Sequence, residues 1–153
     1  MKDLSDTDKR LLTLLQADAT ISQAVLAEKA GLSKTSCWRR IRDFEDAGII
    51  ERRATILDAK AMGFKLTVFV HVAMVEHSAE TRDTFEAHIQ DLAEVIACHS
   101  VSGTWDYLVQ VVTRDIETFD AFHNREILQH PCVRSASSSF ALRRIKSTTR
   151  LPL

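Results

Sequence analysis

Between Leu32 and Ile50 the chain reads LSKTSCWRRIRDFEDAGII, a stretch that few folds accommodate. Ser33 is a natural N-cap, because its hydroxyl can accept a free backbone N–H of the first helical turn. Cys37, Ile41 and Phe44 follow at spacings of four and three, which sets them on one buried stripe of a helix. Lys34, Thr35, Ser36, Trp38, Arg39 and Arg42 are left outside that stripe. The four positive charges from Lys34 to Arg42 have no acid among them. Gly48 then ends the helix where a left-handed residue costs least. Just upstream, Ser22 caps a second helix, QAVLAEKA, buried through Leu26, Ala27 and Ala30, and Gly31 makes the turn between the two. Two helices joined by a short turn containing Gly form a helix-turn-helix. A helix that is apolar behind, hydroxyl-rich at its front and basic outside suits the major groove of double-stranded DNA.

The residues around this unit complete a small domain over 1–60. Ser5 caps a first helix with acids in its opening turn, Leu4 staples back onto it, and Leu11, Leu12 and Leu15 form its apolar face. After the recognition helix, IIERRATILD from Ile49 to Asp58 turns β-rich around Arg52 and Arg53. This predicts a wing, a β-hairpin with a basic tip lying on phosphates. The DNA-facing set is therefore Ser22, Lys34, Thr35, Ser36, Trp38, Arg39, Arg42, Arg52 and Arg53. Plainer roles stand beside these. Trp38 can pack on a neighbouring helix, Arg39 and Arg42 can be merely solvated, and Arg40 can serve a phosphate or pair with an acid of the first helix.

From 61 to 153 the pattern changes character. LTVFVHVAMV is a long strand, Ala79 to Leu92 a helix buried through Phe85, Ile89 and Leu92, and Val95 to Ser102 and Tyr107 to Val112 two strands around a hairpin loop. A second helix starts at Asp115, buries Phe119, Phe122 and Ile127 and ends before Pro131, and a last strand runs from Val133 to Ile145. The fold class is α+β, a winged helix-turn-helix followed by a βαββαβ ferredoxin-like domain with four antiparallel strands and two helices on one face. In the first strand Leu66, Val68, Val70 and Val72 take one face, while Phe69, Ala73 and Val75 take the other. Two helices cover one face only, and a half-solvated antiparallel strand should alternate. The second face is expected to be buried in an obligate homodimer; cover by the DNA-binding unit is the alternative.

Charge and cysteine content narrow the function classes. The net charge is −1, and the first 60 residues hold 11 Lys and Arg against 10 Asp and Glu. Such a chain does not coat nucleic acid indiscriminately, and useful affinity requires several subunits acting together. Cys37, Cys98 and Cys132 sit in apolar patterns and read as reduced core thiols of a cytoplasmic, nucleoid-associated protein. A start of MKDLSDTDKR is not a signal peptide, and no apolar run is long enough to span a membrane. The six histidines, all from His71 onward, show no metal-binding spacing, so no metal or other cofactor is expected.

Four segments in order resemble the leucine-responsive regulator/AsnC family of transcription factors. These are LSDTDKRLLTLLQADATIS, LAEKAGLSKTSCWRRIRDFEDAGII, FEAHIQDLAEVIACHSVSGTWDYLVQVV and SSSFALRRIKSTTRLPL, which together span nearly the whole chain. The resemblance implies a DNA-binding unit joined to a ligand-binding domain that dimerises through its sheet, with dimers assembling further into octamers and amino acids acting as effectors. It puts Gly103, Thr104, Trp105, Asp106 and Tyr107 on the effector loop, at the contact between dimers, with Ser135 and Ser137 of the last strand as neighbours. The chain departs at Thr104, where many members carry an acid suited to an α-amino group, and Trp105 adds an aromatic wall suited to an apolar or sulfur-bearing side chain. A regulator rather than an enzyme is expected. The rivals are a catalyst of similar architecture, as in sirohaem decarboxylases, and an architectural DNA-wrapping protein without effector; tetrapyrrole absorbance marks the first, sequence-independent protection of DNA the second.

Overall fold

The computed structural model describes residues 4–153. Met1 to Asp3, the first part of the start read as no signal peptide, lie outside the described residues. The chain forms two compact units, Met1–Ile56 together with Ile145–Leu153, and Leu57–Arg144. Residues 145–153, expected with the second half, thus group with the first unit.

The first unit holds helices α1 (Asp6–Ala17), α2 (Gln23–Ala30) and α3 (Lys34–Asp46). Each starts on a serine, Ser5, Ser22 or Ser33, whose side chain accepts a backbone N–H of the first turn. At Ser5 the cap is reciprocal, since the Asp8 carboxylate accepts the Ser5 N–H at 3.1 Å. Gly31 at φ 69° and Gly48 at φ 68° take the left-handed conformation that ends α2 and α3. There Leu32 N–H reaches Ala27 O and Ile49 N–H reaches Phe44 O, both at 2.9 Å, the 6→1 bond of a Schellman stop. Leu11, Leu12, Leu26, Ala27, Ala30, Cys37, Ile41 and Phe44 form the core.

The wing predicted over Ile49 to Asp58 does not form a hairpin. Residues 51–58 run without helix or strand, and Ile56 and Leu57 are exposed. ERRATILD has β-forming residues but no Asn-Gly, Asp-Gly or other reversing pair inside it, so a returning strand is missing. The reversal comes only afterwards, where the Asp58 side chain accepts the Ala61 N–H at 2.8 Å.

The second unit runs β1 (Leu66–Met74), α4 (Ala79–Gln90), β2 (Val95–Ser100), β3 (Tyr107–Thr113), α5 (Ile116–Phe122), a π-helical turn (His123–Leu128) and β4 (Val133–Phe140). The sheet order is β2-β3-β1-β4, with every neighbour antiparallel. Val68, Val70, Val72, Tyr107, Val109 and Val111 face Phe85, Ile89, Phe119, Phe122 and Ile127 in one core. The wider π turn brings Ile127, five residues beyond Phe122, onto the same buried side. β4 stops at Phe140, short of the predicted Ile145, because its partner runs out. Phe140 already pairs with Val68, and the next bond, Ala141 N–H to Thr67 O, is near the start of β1.

Beyond that point the tail returns to the first unit. The Gln16 carboxamide accepts the Leu151 N–H at 2.6 Å and donates to the Leu151 carbonyl at 3.3 Å. Arg150 donates to the Ala17 carbonyl at 3.3 Å, giving α1 the cation that its own last turn lacks.

Candidate functional site

Two places carry chemistry, the outer face of α3 and the loop end of the open sheet face. On α3, burial of Cys37, Ile41 and Phe44 turns Lys34, Thr35, Trp38, Arg39 and Arg42 outward, with Ser36 half-buried. The first turn of α3 contains no acid, so its N-terminal dipole adds to a cationic surface. Arg42 holds its guanidinium 5.0 Å from the Trp38 ring centre, and Trp38 stays 46% exposed. The other side of that indole walls a hollow of about 170 Å³ with Leu15, Ile21, Leu26 and Ile41. Trp38 therefore borders the hollow and stays part exposed.

Arg40 is the exception on this helix. It turns back to α1 and pairs with the Asp8 carboxylate. Burial pushes the Asp8 carboxyl up, but hydrogen bonds from Ser5 and Arg40 outweigh it and hold the group below the ordinary carboxylate range. The pair ties the start of α1 to α3. Ser22 spends its hydroxyl on the Val25 N–H at 3.4 Å. Arg53 is drawn onto α3, donating to Glu45 at 2.9 Å, whereas Arg52 stays exposed in the extended segment. Arg52 and Arg53 therefore do not form the tip of a hairpin.

In the second unit, the loop between β2 and β3 closes on itself through Val101 N–H to Asp106 O at 2.9 Å, and Gly103 sits at φ 123°, a backbone region that suits glycine. Asp106 anchors this loop to β1. Its N–H reaches Val72 O at 2.9 Å, one carboxylate oxygen accepts the Met74 N–H at 2.7 Å, and the other lies 3.3 Å from His77 Nδ1. Each oxygen thus meets a group of the protein, and the carboxylate ties the loop to β1. Tyr107 leaves the loop altogether. Strand alternation turns it into the helix-facing core, where it packs on Phe85 at 5.0 Å and donates to Glu86 at 2.6 Å. Burial first, and then the Glu86 bond, push its phenol well above the ordinary tyrosine range. Burial and Glu86 likewise push the nearby Cys98 thiol up to about 11, which makes it a poor nucleophile.

Thr104 and Trp105 do come together, with His71, Val101, Ser102 and Leu108, around a hollow of about 350 Å³. His71 and Leu108 are directly paired on the open face, and Trp105 tilts toward His71 at 5.8 Å between ring centres. Ser137 pairs with His71 and Ser135 with Ala73 on that same face, beside the hollow rather than on its wall. Sequence reasoning missed His71. Its signal was a polar residue in phase with Phe69 and Ala73 on β1.

Comparison with known proteins follows this division. A family model for the Lrp/AsnC ligand-binding domain matches residues 67–151, and one for winged helix-turn-helix DNA-binding matches residues 4–51. The second match stops before the extended segment that lacks a hairpin. The DNA-binding transcriptional activator DecR of Escherichia coli K12 is 37% identical over 150 residues, covering 98% of this chain and 99% of DecR. A Neisseria meningitidis transcriptional regulator solved as an L-Met complex is 34% identical with a TM-score of 0.93, covering 97% of this chain and 96% of that one. An AsnC family regulator from Agrobacterium tumefaciens is 42% identical with a TM-score of 0.91 and the same coverage. Among the described residues no helix is long and apolar enough to cross a membrane, and no group of three or more His, Cys, Asp or Glu is arranged to hold a metal ion.

Proposed function

The chain belongs to the Lrp/AsnC family of DNA-binding transcriptional regulators, and from that premise we propose that it reads operator DNA sequence-specifically through α3 and changes its occupancy when a neutral amino acid binds at the loop end of the sheet. The observation that carries the DNA half is the outer face of α3, cationic, hydroxyl-bearing and free of acid in its first turn. Arg39 and Arg42 are the base-reading candidates, since a guanidinium can pair bidentately with guanine, while Lys34, Thr35 and Arg52 meet phosphates.

The effector half rests on the hollow beside Trp105. Val101, Leu108 and Trp105 give it apolar walls, and no Lys, Arg, Asp or Glu lines it. That chemistry favours an apolar or thioether side chain over a charged one. The Neisseria relative, solved with L-Met, points the same way. A second copy of the chain is the natural cover for Phe69, Leu108 and Val112 on the open face. Dimers of this kind, assembling further toward an octamer, would place recognition helices about 10 bp apart or a multiple of that. Effector coupling of about 1–3 kcal/mol is enough to switch occupancy without refolding.

The test is selection of binding sites from random DNA by the intact protein, followed by gel-shift titration of the selected site against a scrambled one. A preference of about a thousandfold or more that moves with L-methionine supports the reading. Equal affinity for both duplexes at ~0.15 M salt would refute it.

A further inference from the structure

An amino acid entering the hollow beside Trp105 brings a carboxylate with it, and a carboxylate taken from water without a partner is costly to bury. The lining offers two hydroxyls, from Ser102 and Thr104, and one imidazole N–H donor, that of His71. Asp106, at the end of the loop and outside the lining, carries a negative charge that repels a carboxylate. Of the other five histidines, His99 is exposed on β2 and pairs with Leu108 without lining the hollow, and four are engaged within the fold. His77 meets Asp106, His88 meets the Glu126 carbonyl, His123 lies at the Ser138 hydroxyl and His130 accepts the Cys132 N–H. His71 faces the hollow instead. It sits at the middle of the row formed by Leu108 on β3 and Ser137 on β4, under the tilted Trp105 ring.

We infer that His71 is the carboxylate-recognising residue of the effector pocket, taking the α-carboxylate of a neutral amino acid whose side chain lies along Trp105 and Leu108. This rests on the effector reading of the previous subsection and adds the orientation of the ligand. The carboxylate points toward the open sheet face at His71, and the side chain lies against the indole and Leu108.

The distinction from a merely structural histidine is chemical. A structural role would not discriminate between ligands that share a side chain and differ only in the acid group. The experiment measures binding of L-methionine and of L-methioninol, which has an alcohol in place of the carboxylate, by calorimetry on the intact protein. Wild-type protein should prefer L-methionine over the alcohol by tenfold or more, as loss of a charge-assisted hydrogen bond implies. His71→Ala should lose that preference, binding both at the weaker level, and His71→Gln should recover part of it. His71→Ala retaining the wild-type preference, or weakening both ligands by the same factor, would overturn the inference while leaving the effector pocket in place. Wild-type protein that binds neither L-methionine nor any other neutral L-amino acid would overturn the effector reading itself, and this inference with it.

Discussion

Asp106→Ala separates an anchoring carboxylate from a ligand-holding one. Its carboxylate accepts the Met74 N–H at 2.7 Å from a side chain 26% exposed. A hydrogen bond to a charged group contributes about 1.5–3 kcal/mol, and partial exposure puts this one at the lower end. The contact with His77 adds almost nothing, since that side chain is 75% exposed. The backbone bonds from Asp106 to Val72 and from Val101 to Asp106 survive the substitution. Asp106→Ala should therefore destabilise the sheet unit by about 1.5–2 kcal/mol, and Asp106→Asn, which keeps an acceptor, by about half as much. The chain has two tryptophans, so Trp38→Phe leaves Trp105 fluorescence as a reporter of this unit in urea titrations. L-Methionine affinity should follow loop order, falling in the alanine variant and staying close to wild type in the asparagine variant. Wild-type stability combined with lost effector binding in both variants would rule out the anchoring role, because it would place the carboxylate on the ligand.

Further outcomes follow from the same geometry. Arg39→Ala should cost about 1–3 kcal/mol of affinity for a mapped operator if it reads a base, whereas Arg52→Ala should weaken all sequences alike and reduce the salt slope by about one; unchanged gel-shift affinity would remove either assignment. His123 and His130 are both held below the ordinary histidine value of 6.5, first by burial, with His88 adding to it at His130. The folded state then binds fewer protons than the unfolded one as pH falls through 6.5, so their contribution is full above that value and lost below it. Urea midpoints at about pH 7.5 and 5.5 should show the decline, and His130→Gln should flatten it; a profile unchanged by that substitution would contradict the assignment. Gln16→Ala, which removes two exposed bonds to Leu151, should destabilise the first unit by about 1 kcal/mol, read from Trp38 fluorescence in a Trp105→Phe background.

Local signals in the sequence carried far because the structure here obeys local rules. Ser5, Ser22 and Ser33 cap their helices, Gly31 and Gly48 end theirs, and the 3.6-residue stripe through Cys37, Ile41 and Phe44 is the buried one. The βαββαβ order was legible for the same reason. What was not legible depended on partners distant in sequence. Residues 49–58 have strand-like composition, but a hairpin needs a turn and a second strand, and neither exists. Tyr107 belongs by position to the loop motif, yet the pleat turns it into the core toward Glu86. Arg53 reads from the sequence as an unpaired cation, yet Glu45 on α3 accepts from it. The tail looks like a strand continuing past Phe140, and only the position of Gln16 and Ala17 explains where it goes. The candidate DNA face was thus readable from one helix alone, whereas the pocket required two strands in register and the loop that closes over them.

In the proposed function one exposed helix face selects DNA and a neutral amino acid adjusts that selection. Genome-wide footprinting of the intact protein, with and without a panel of amino acids, tests it most directly. Discrete, roughly palindromic sites are expected, with half-sites about 10 bp or a multiple apart, whose occupancy shifts with a neutral amino acid such as L-methionine. Broad protection without sequence preference, unchanged by every amino acid in the panel, would contradict it.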